Sequence, residues 1–187
     1  MRRILLFSFL CFLAIATNSC KKARLRAQLK ELMGNTVVLP DSLLCVYHGA
    51  YSRMPDSLHN KPKLIVFVDS TECSQCRISR FVLYEELFQT ANRTHSFVPI
   101  ILLTTKKAEY NDIIDHLLLI DLFCPVYLDD AFMFRKMNPF IPNDVRFQSL
   151  FLDKNNQICL VGDPSINDGL IPLYLNFINP YYEKDID

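Results

Sequence analysis

Cys73 and Cys76, in the stretch "DSTECSQCRISRF" (69–81), are the residues of this 187-residue chain whose types and spacing could carry chemistry. A thiolate at the first position attacks a disulfide, and a second thiol one helical turn on closes the ring and releases the product. That chemistry needs the first cysteine at a helix start. There, unpaired backbone N–H groups and the positive end of the helix dipole favour thiolate over thiol. Cys73 is the candidate nucleophile and Cys76 the candidate resolving residue. Arg77 adds positive potential and Glu72 opposes the thiolate, so the flanking charges leave the redox potential open. The spacing also fits a structural disulfide or half of a metal site. A structural zinc wants four ligands, and neither a second C-x-x-C nor paired histidines occur; His48, His59, His95 and His116 are scattered. No metal and no other cofactor is expected.

The segment "KLIVFVDS" just before the pair is a continuous apolar run with β-branched and aromatic members, the pattern of a strand buried on both faces of a parallel sheet. The stretch after it, "CSQCRISRFVLYEELFQT", reads as a helix with one dominant apolar face, fitted by Ile78, Phe81, Val82, Glu85, Leu87 and Phe88. "SFVPIILLT" is the next strand, followed by a helix from about Lys107 to Leu122, and strand–helix alternation predicts a parallel α/β sheet. "FCPVYLDD" predicts a short strand, with a helical stretch from Asp130 to Met137. Asp129 and Asp130 suit a helix N-cap better than a carboxylate pair, because adjacent strand residues point apart. "FQSLFLDKNNQICLVG" reads as a hairpin turning at Lys154, Asn155 and Asn156. "INDGLIPLYLNFI" closes the domain as a helix with Pro172 in its first turn. Upstream, leucines at 25, 29 and 32 predict a short helix ended by Gly34, and "NTVVLPDSLLCVYHG" two short β runs that pair as a hairpin or edge. Cys45, Cys124 and Cys159, in or beside strand-like runs, are expected to be buried and inert.

The chain opens with two arginines and an uncharged apolar run of about 14 residues, short of the roughly 20 that cross a bilayer. It is read as an export signal over residues 1–19, with Cys20 as a lipidated mature N-terminus. Without Arg2 and Arg3, 18 basic residues face 20 acidic ones, a formal charge of −2. That balance excludes the dense basic face that nucleic acid requires. Residues 20–60 are then a tether with the helix and β extension, and 61–187 the main domain.

The motifs "LIVFVDSTECSQC", "CPVYLDD" and "FQSLFLDKNNQICLVGDP" resemble the thioredoxin-like superfamily, and more narrowly its membrane-tethered, TlpA-like thiol-disulfide oxidoreductases of bacterial envelopes. The resemblance spans about residues 61 to 180 and implies an α/β thioredoxin-like fold, a mixed sheet flanked by helices. It implies a periplasm-facing enzyme, lipid-anchored to the membrane, that reduces or exchanges disulfides in exported proteins and is served by an upstream redox partner. Two positions depart from the family pattern. Glu72 stands where an aromatic residue usually precedes the first cysteine. Phe147 stands where the family has a cis-proline whose neighbouring backbone pairs with substrate. These departures motivate the alternative, a lipoprotein of the same fold that binds a partner without turnover and keeps Cys73–Cys76 as a staple.

Overall fold

The run KLIVFV forms β3 (Lys63–Val68), and all six of its residues are buried, as a strand covered on both faces must be. The computed structural model describes residues 22–41, 43–53, 58, 60–69, 74–120, 122 and 124–184. In it, β3 lies between β4 (Val98–Thr104), parallel to it, and β6 (Ser149–Leu152), antiparallel. β5 (Val126–Asp129) is parallel to β4, and β7 (Ile158–Val161) is the antiparallel partner of β6. With β1 (Leu44–Tyr47) and β2 (Ala50–Arg53), the sheet of the described residues runs β2-β1-β5-β4-β3-β6-β7.

The helices of the described residues are α1 (22–32), α2 (Ser74–Ile78), α3 (Glu85–Thr94), α4 (Tyr110–Leu119), α5 (Met133–Met137) and α6 (Leu170–Lys184). Successive strand residues point to opposite faces. Leu64, Val66 and Val68 therefore pack with Ile78, Phe81, Phe88 and Ile178, while Ile65 and Phe67 pack with Phe134, Ile141 and Phe147. Each such aliphatic or aromatic side chain contributes about 1.5–3 kcal/mol by burial. Helix-borne apolar layers on both faces are the architecture that the strand–helix alternation predicts. No helix among the described residues is long and apolar enough to cross a membrane.

Three local expectations are corrected. The stretch after Cys73 is not one helix: α2 ends at Ile78, a 3-10 turn occupies Phe81–Tyr84, and α3 follows. Ile78, Phe81, Tyr84 and Leu87 are all buried and recur every three residues. A 3-10 turn eclipses side chains at that interval. Val82, expected on the apolar face, is 57% exposed. The second correction is that α4 stops at Leu119, short of Leu122.

The third concerns the two β runs around Pro40, which do not pair with each other. The first lies along the β7 edge, through Gly34 N–H to Ile158 O (3.0 Å), Ile158 N–H to Asn35 O (2.9 Å) and Val37 N–H to Asn156 O (2.9 Å). The second is β1, at the opposite side of the sheet beside β5. The first run thus satisfies an edge that would otherwise expose unpaired backbone. Asn138, fully buried, secures it further: Val38 N–H donates to its Oδ1 (2.8 Å), and its Nδ2 donates to the oxygens of Val38 and Phe134 (2.8 Å each). With about 1 kcal/mol for each bond, Asn138→Ala is expected to lower the unfolding free energy by about 2–3 kcal/mol in urea denaturation, with the m-value unchanged.

Candidate dithiol site

β3 ends at Val68 and α2 begins at Ser74, so residues 69–73 lead from the central strand into the helix that carries Cys76. Asp69, at the strand end, accepts from Arg135 Nη2 (2.7 Å) and Nε (3.1 Å), and that guanidinium lies 5.1 Å over the Phe67 ring. Cys76 is exposed. Cys73, Glu72 and Cys20 lie outside the described residues.

Arg77, expected to lend positive potential to the dithiol, is turned inward. Its side chain is 2% exposed and ion-paired with Asp163, whose side chain is fully buried. Arg77 Nη1 also donates to Ser165 Oγ (2.6 Å). Asp163 Oδ1 accepts from Tyr84 OH (2.6 Å), Ser165 Oγ (2.6 Å) and Ser165 N–H (2.8 Å). The Tyr84 hydroxyl lies 2.6 Å from Ser149 Oγ, and Tyr174 OH donates to Gly162 O (2.8 Å). A buried charge needs a partner and satisfied lone pairs, and this network supplies both. It joins α2, the 3-10 turn, β6 and the loop after β7.

Tyr84, Asp163, Ser149 and Ser165 are absent from the sequence reading. The available signal was Arg77 itself. With Phe81 and Tyr84 it falls at i, i+4 and i+7 on the buried side of the segment, so its charge requires an acid from elsewhere in the chain.

Burial raises the Tyr84 phenol well above its ordinary pKa, and the Asp163 charge adds to the shift. Burial, with Asp130 nearby, pushes Tyr110 up to about 12. A phenol whose folded pKa exceeds its unfolded value adds stability that is complete below the unfolded pKa, about 10. That stability is lost as pH rises through the folded value. Alkaline unfolding followed by circular dichroism is expected to show little change up to about pH 10 and a steep fall from there through about pH 12.

Phe147 closes a 3-10 turn, Val145–Phe147, and is buried. Its N–H donates to Asp144 O (2.9 Å), that of Gln148 to Val145 O (3.1 Å) and that of Arg146 to Asp144 Oδ1 (3.0 Å). The described residues contain no cis peptide bond. The amides at the position of the family's cis-proline are therefore committed within the turn. The Arg146 side chain, hydrogen-bonded to Asp144, holds that carboxyl below its ordinary pKa. A cavity of about 200 Å³ lies beside Phe147, with Leu25 and Leu29 of α1, Gly162, Asp163 and Ile166 in its lining.

The remaining candidates take structural roles. Asp129 accepts from Met133 N–H (2.9 Å) and Phe134 N–H (2.8 Å), capping α5 as the sequence suggests, and Asp130 pairs with Lys107 (3.3 Å). Cys45 and Cys124 are buried, and burial raises the Cys124 thiol pKa well above its ordinary value, which keeps it protonated and inert. Cys159 is only half-buried, with Sγ 3.4 Å from Gln157 O. No cluster of three or more His, Cys, Asp or Glu suited to a metal occurs among the described residues.

No protein-family model matches the chain, and no curated protein does either. Solved structures do. A candidate protein disulfide isomerase from Bacteroides thetaiotaomicron aligns with a TM-score of 0.58 at 17% identity, over 81% of this chain and 90% of that one. A candidate thiol:disulfide interchange protein DsbE from Chlorobium tepidum gives 0.54 at 17%, over 78% and 97%. The thioredoxin domain of a thiol-disulfide oxidoreductase from Bacteroides vulgatus gives 0.51 at 14%, over 75% and 96%. At these identities the likeness carries the fold. A parallel β3–β4–β5 core, an antiparallel β6–β7 hairpin, and a two-cysteine stretch leading from β3 into α2 belong to the thioredoxin-like fold, and that is the fold of this chain.

Proposed function

We propose that the chain is a thiol-disulfide oxidoreductase of the bacterial cell envelope that uses Cys73 as nucleophile and Cys76 as resolving thiol on exported proteins. The observation that carries this reading is the C-x-x-C stretch between the end of a fully buried central strand and a helix on which the second cysteine is exposed. In the reductive direction the Cys73 thiolate attacks a substrate disulfide, forming a mixed disulfide and expelling one substrate thiolate, which takes a proton. Cys76 then attacks Cys73 Sγ, releasing the second substrate thiol and leaving the Cys73–Cys76 disulfide, which an upstream dithiol partner reduces. The likeness to oxidoreductases of the same fold supports the chemistry. The export-like residues 1–19, with Cys20 as a lipid anchor, support the location. Insulin reduction by the chain from residue 21 onward, which keeps β1, β2 and the strand edge at 34–37, coupled to a dithiol, tests the proposal. Turnover that persists in Cys73→Ser refutes it.

One observation favours a second reading, a partner-binding lipoprotein in which Cys73–Cys76 is a staple. The backbone N–H groups of residues 146–148 are already bonded within their turn, so they are not available as donors to a substrate strand. This reading predicts a disulfide with a potential below about −300 mV and a loss of thermal stability on reduction.

A further inference from the structure

We infer that the buried Arg77–Asp163 pair is a potential-setting element of the dithiol. Asp163 cancels a cationic charge that the chain places directly after Cys76. The inference rests on the reading of Cys73–Cys76 as a dithiol that opens and closes. Arg77 adjoins Cys76 in α2, and its guanidinium is nearly excluded from water, so solvent screens its charge poorly. Asp163 comes from 86 positions further along the chain, on the loop after β7, and its Oδ1 is fixed by Tyr84 and Ser165. The acid therefore has one place to stand, against Arg77.

Reduction takes two electrons and two protons into the Cys73–Cys76 disulfide. With glutathione as the reductant, two glutathione thiols become one glutathione disulfide and the protein disulfide becomes a dithiol. Where the nucleophilic thiol is ionised, positive charge nearby stabilises the reduced form and negative charge destabilises it. Removing Asp163's charge uncovers Arg77 and must favour the dithiol. Removing Arg77's charge uncovers Asp163 and must favour the disulfide. Glu72, Arg80 and the Asp69–Arg135 pair are common to every variant, so their fields cancel in the comparison.

The experiment is a glutathione redox titration near pH 8, close to the ordinary thiol pKa, read by thiol alkylation and gel shift. The chain from residue 21 onward is used as wild type, Asp163→Asn, Arg77→Gln and the double variant. Asp163→Asn is expected to shift the equilibrium about tenfold toward the dithiol, about 30 mV for this two-electron couple. Arg77→Gln is expected to shift it in the opposite direction, and the double variant to return to within about threefold of wild type. Loss of packing alone would move both single variants the same way; shifts of one sign, or none, overturn the inference. Should either single variant fail to fold, Ser165→Asp adds negative charge at a half-exposed position that touches Arg77. It must shift the equilibrium toward the disulfide, and no shift there also overturns the inference. The midpoint is measurable for a staple as well as for a catalyst, and insulin turnover is read in parallel. Opposite shifts without turnover keep this inference and remove the proposed function. Turnover without opposite shifts does the reverse.

Discussion

Asp163→Ala is expected to lower the unfolding free energy by about 3–5 kcal/mol, the range for a buried ion pair that loses one partner. The size follows from what is left behind. Arg77 is 2% exposed and cannot reach water without moving α2. Tyr84 keeps only its contact with Ser149 Oγ, and Ser165 loses the acceptor of both its N–H and its hydroxyl. For a chain of this length, about 4 kcal/mol corresponds to a fall in Tm on the order of 10 °C. Arg77→Met/Asp163→Leu should recover much of the loss, because two apolar side chains can replace a buried pair at little cost. Recovery should be incomplete, because Tyr84 and Ser165 would still lack an acceptor. Urea unfolding of the three proteins measures both effects. A loss under about 1 kcal/mol for Asp163→Ala would mean that water reaches Arg77 and that the pair is not the tie between α2 and the hairpin.

The elements legible in the sequence were those whose signal is local. KLIVFV is buried at every position because an unbroken β-branched and aromatic run has no polar face to expose. The β6–β7 hairpin follows from Asp153, whose Oδ1 accepts from Asn155 N–H and Gln157 N–H (2.8 Å each), and from Asn156 at φ 63°. Pro172 is the third residue of α6, where its missing N–H costs no hydrogen bond. What stayed hidden depends on residues far apart in the chain. Asp163 meets Arg77 across 86 positions and Asn138 meets Val38 across 100, and no periodicity encodes such a pairing. The broken helix after Cys73 lies between these cases. Its three-residue recurrence of apolar side chains was present in the sequence, but a helical face also tolerates steps of three. Only the joint burial of Phe81 and Tyr84 decides for the 3-10 turn. At the candidate site, the C-x-x-C spacing named the thiols, while the fate of Arg77's charge required the fold.

The two thiols should fail in different ways when removed singly, and that difference separates an enzyme from a staple. Cys73→Ser removes the attacking sulfur, so insulin reduction should fall to the level of the uncatalysed dithiol reaction, and no mixed disulfide should form. Cys76→Ser leaves the attack intact and removes the resolving thiol, so turnover should fall equally while disulfide-linked adducts through Cys73 accumulate. Non-reducing electrophoresis of exported proteins from cells carrying each variant reads both outcomes, and mass spectrometry of the trapped bands identifies the substrate class. A staple gives neither result. Both serines would then destabilise the fold alike, because either one abolishes the same crosslink, and Cys76→Ser would trap nothing. The bonded amides of residues 146–148 add a second expectation: a substrate strand gains little backbone pairing there, so adducts should form slowly and with weak sequence preference. Trapping in Cys76→Ser that is as slow as in Cys73→Ser would remove Cys73 from its role as nucleophile.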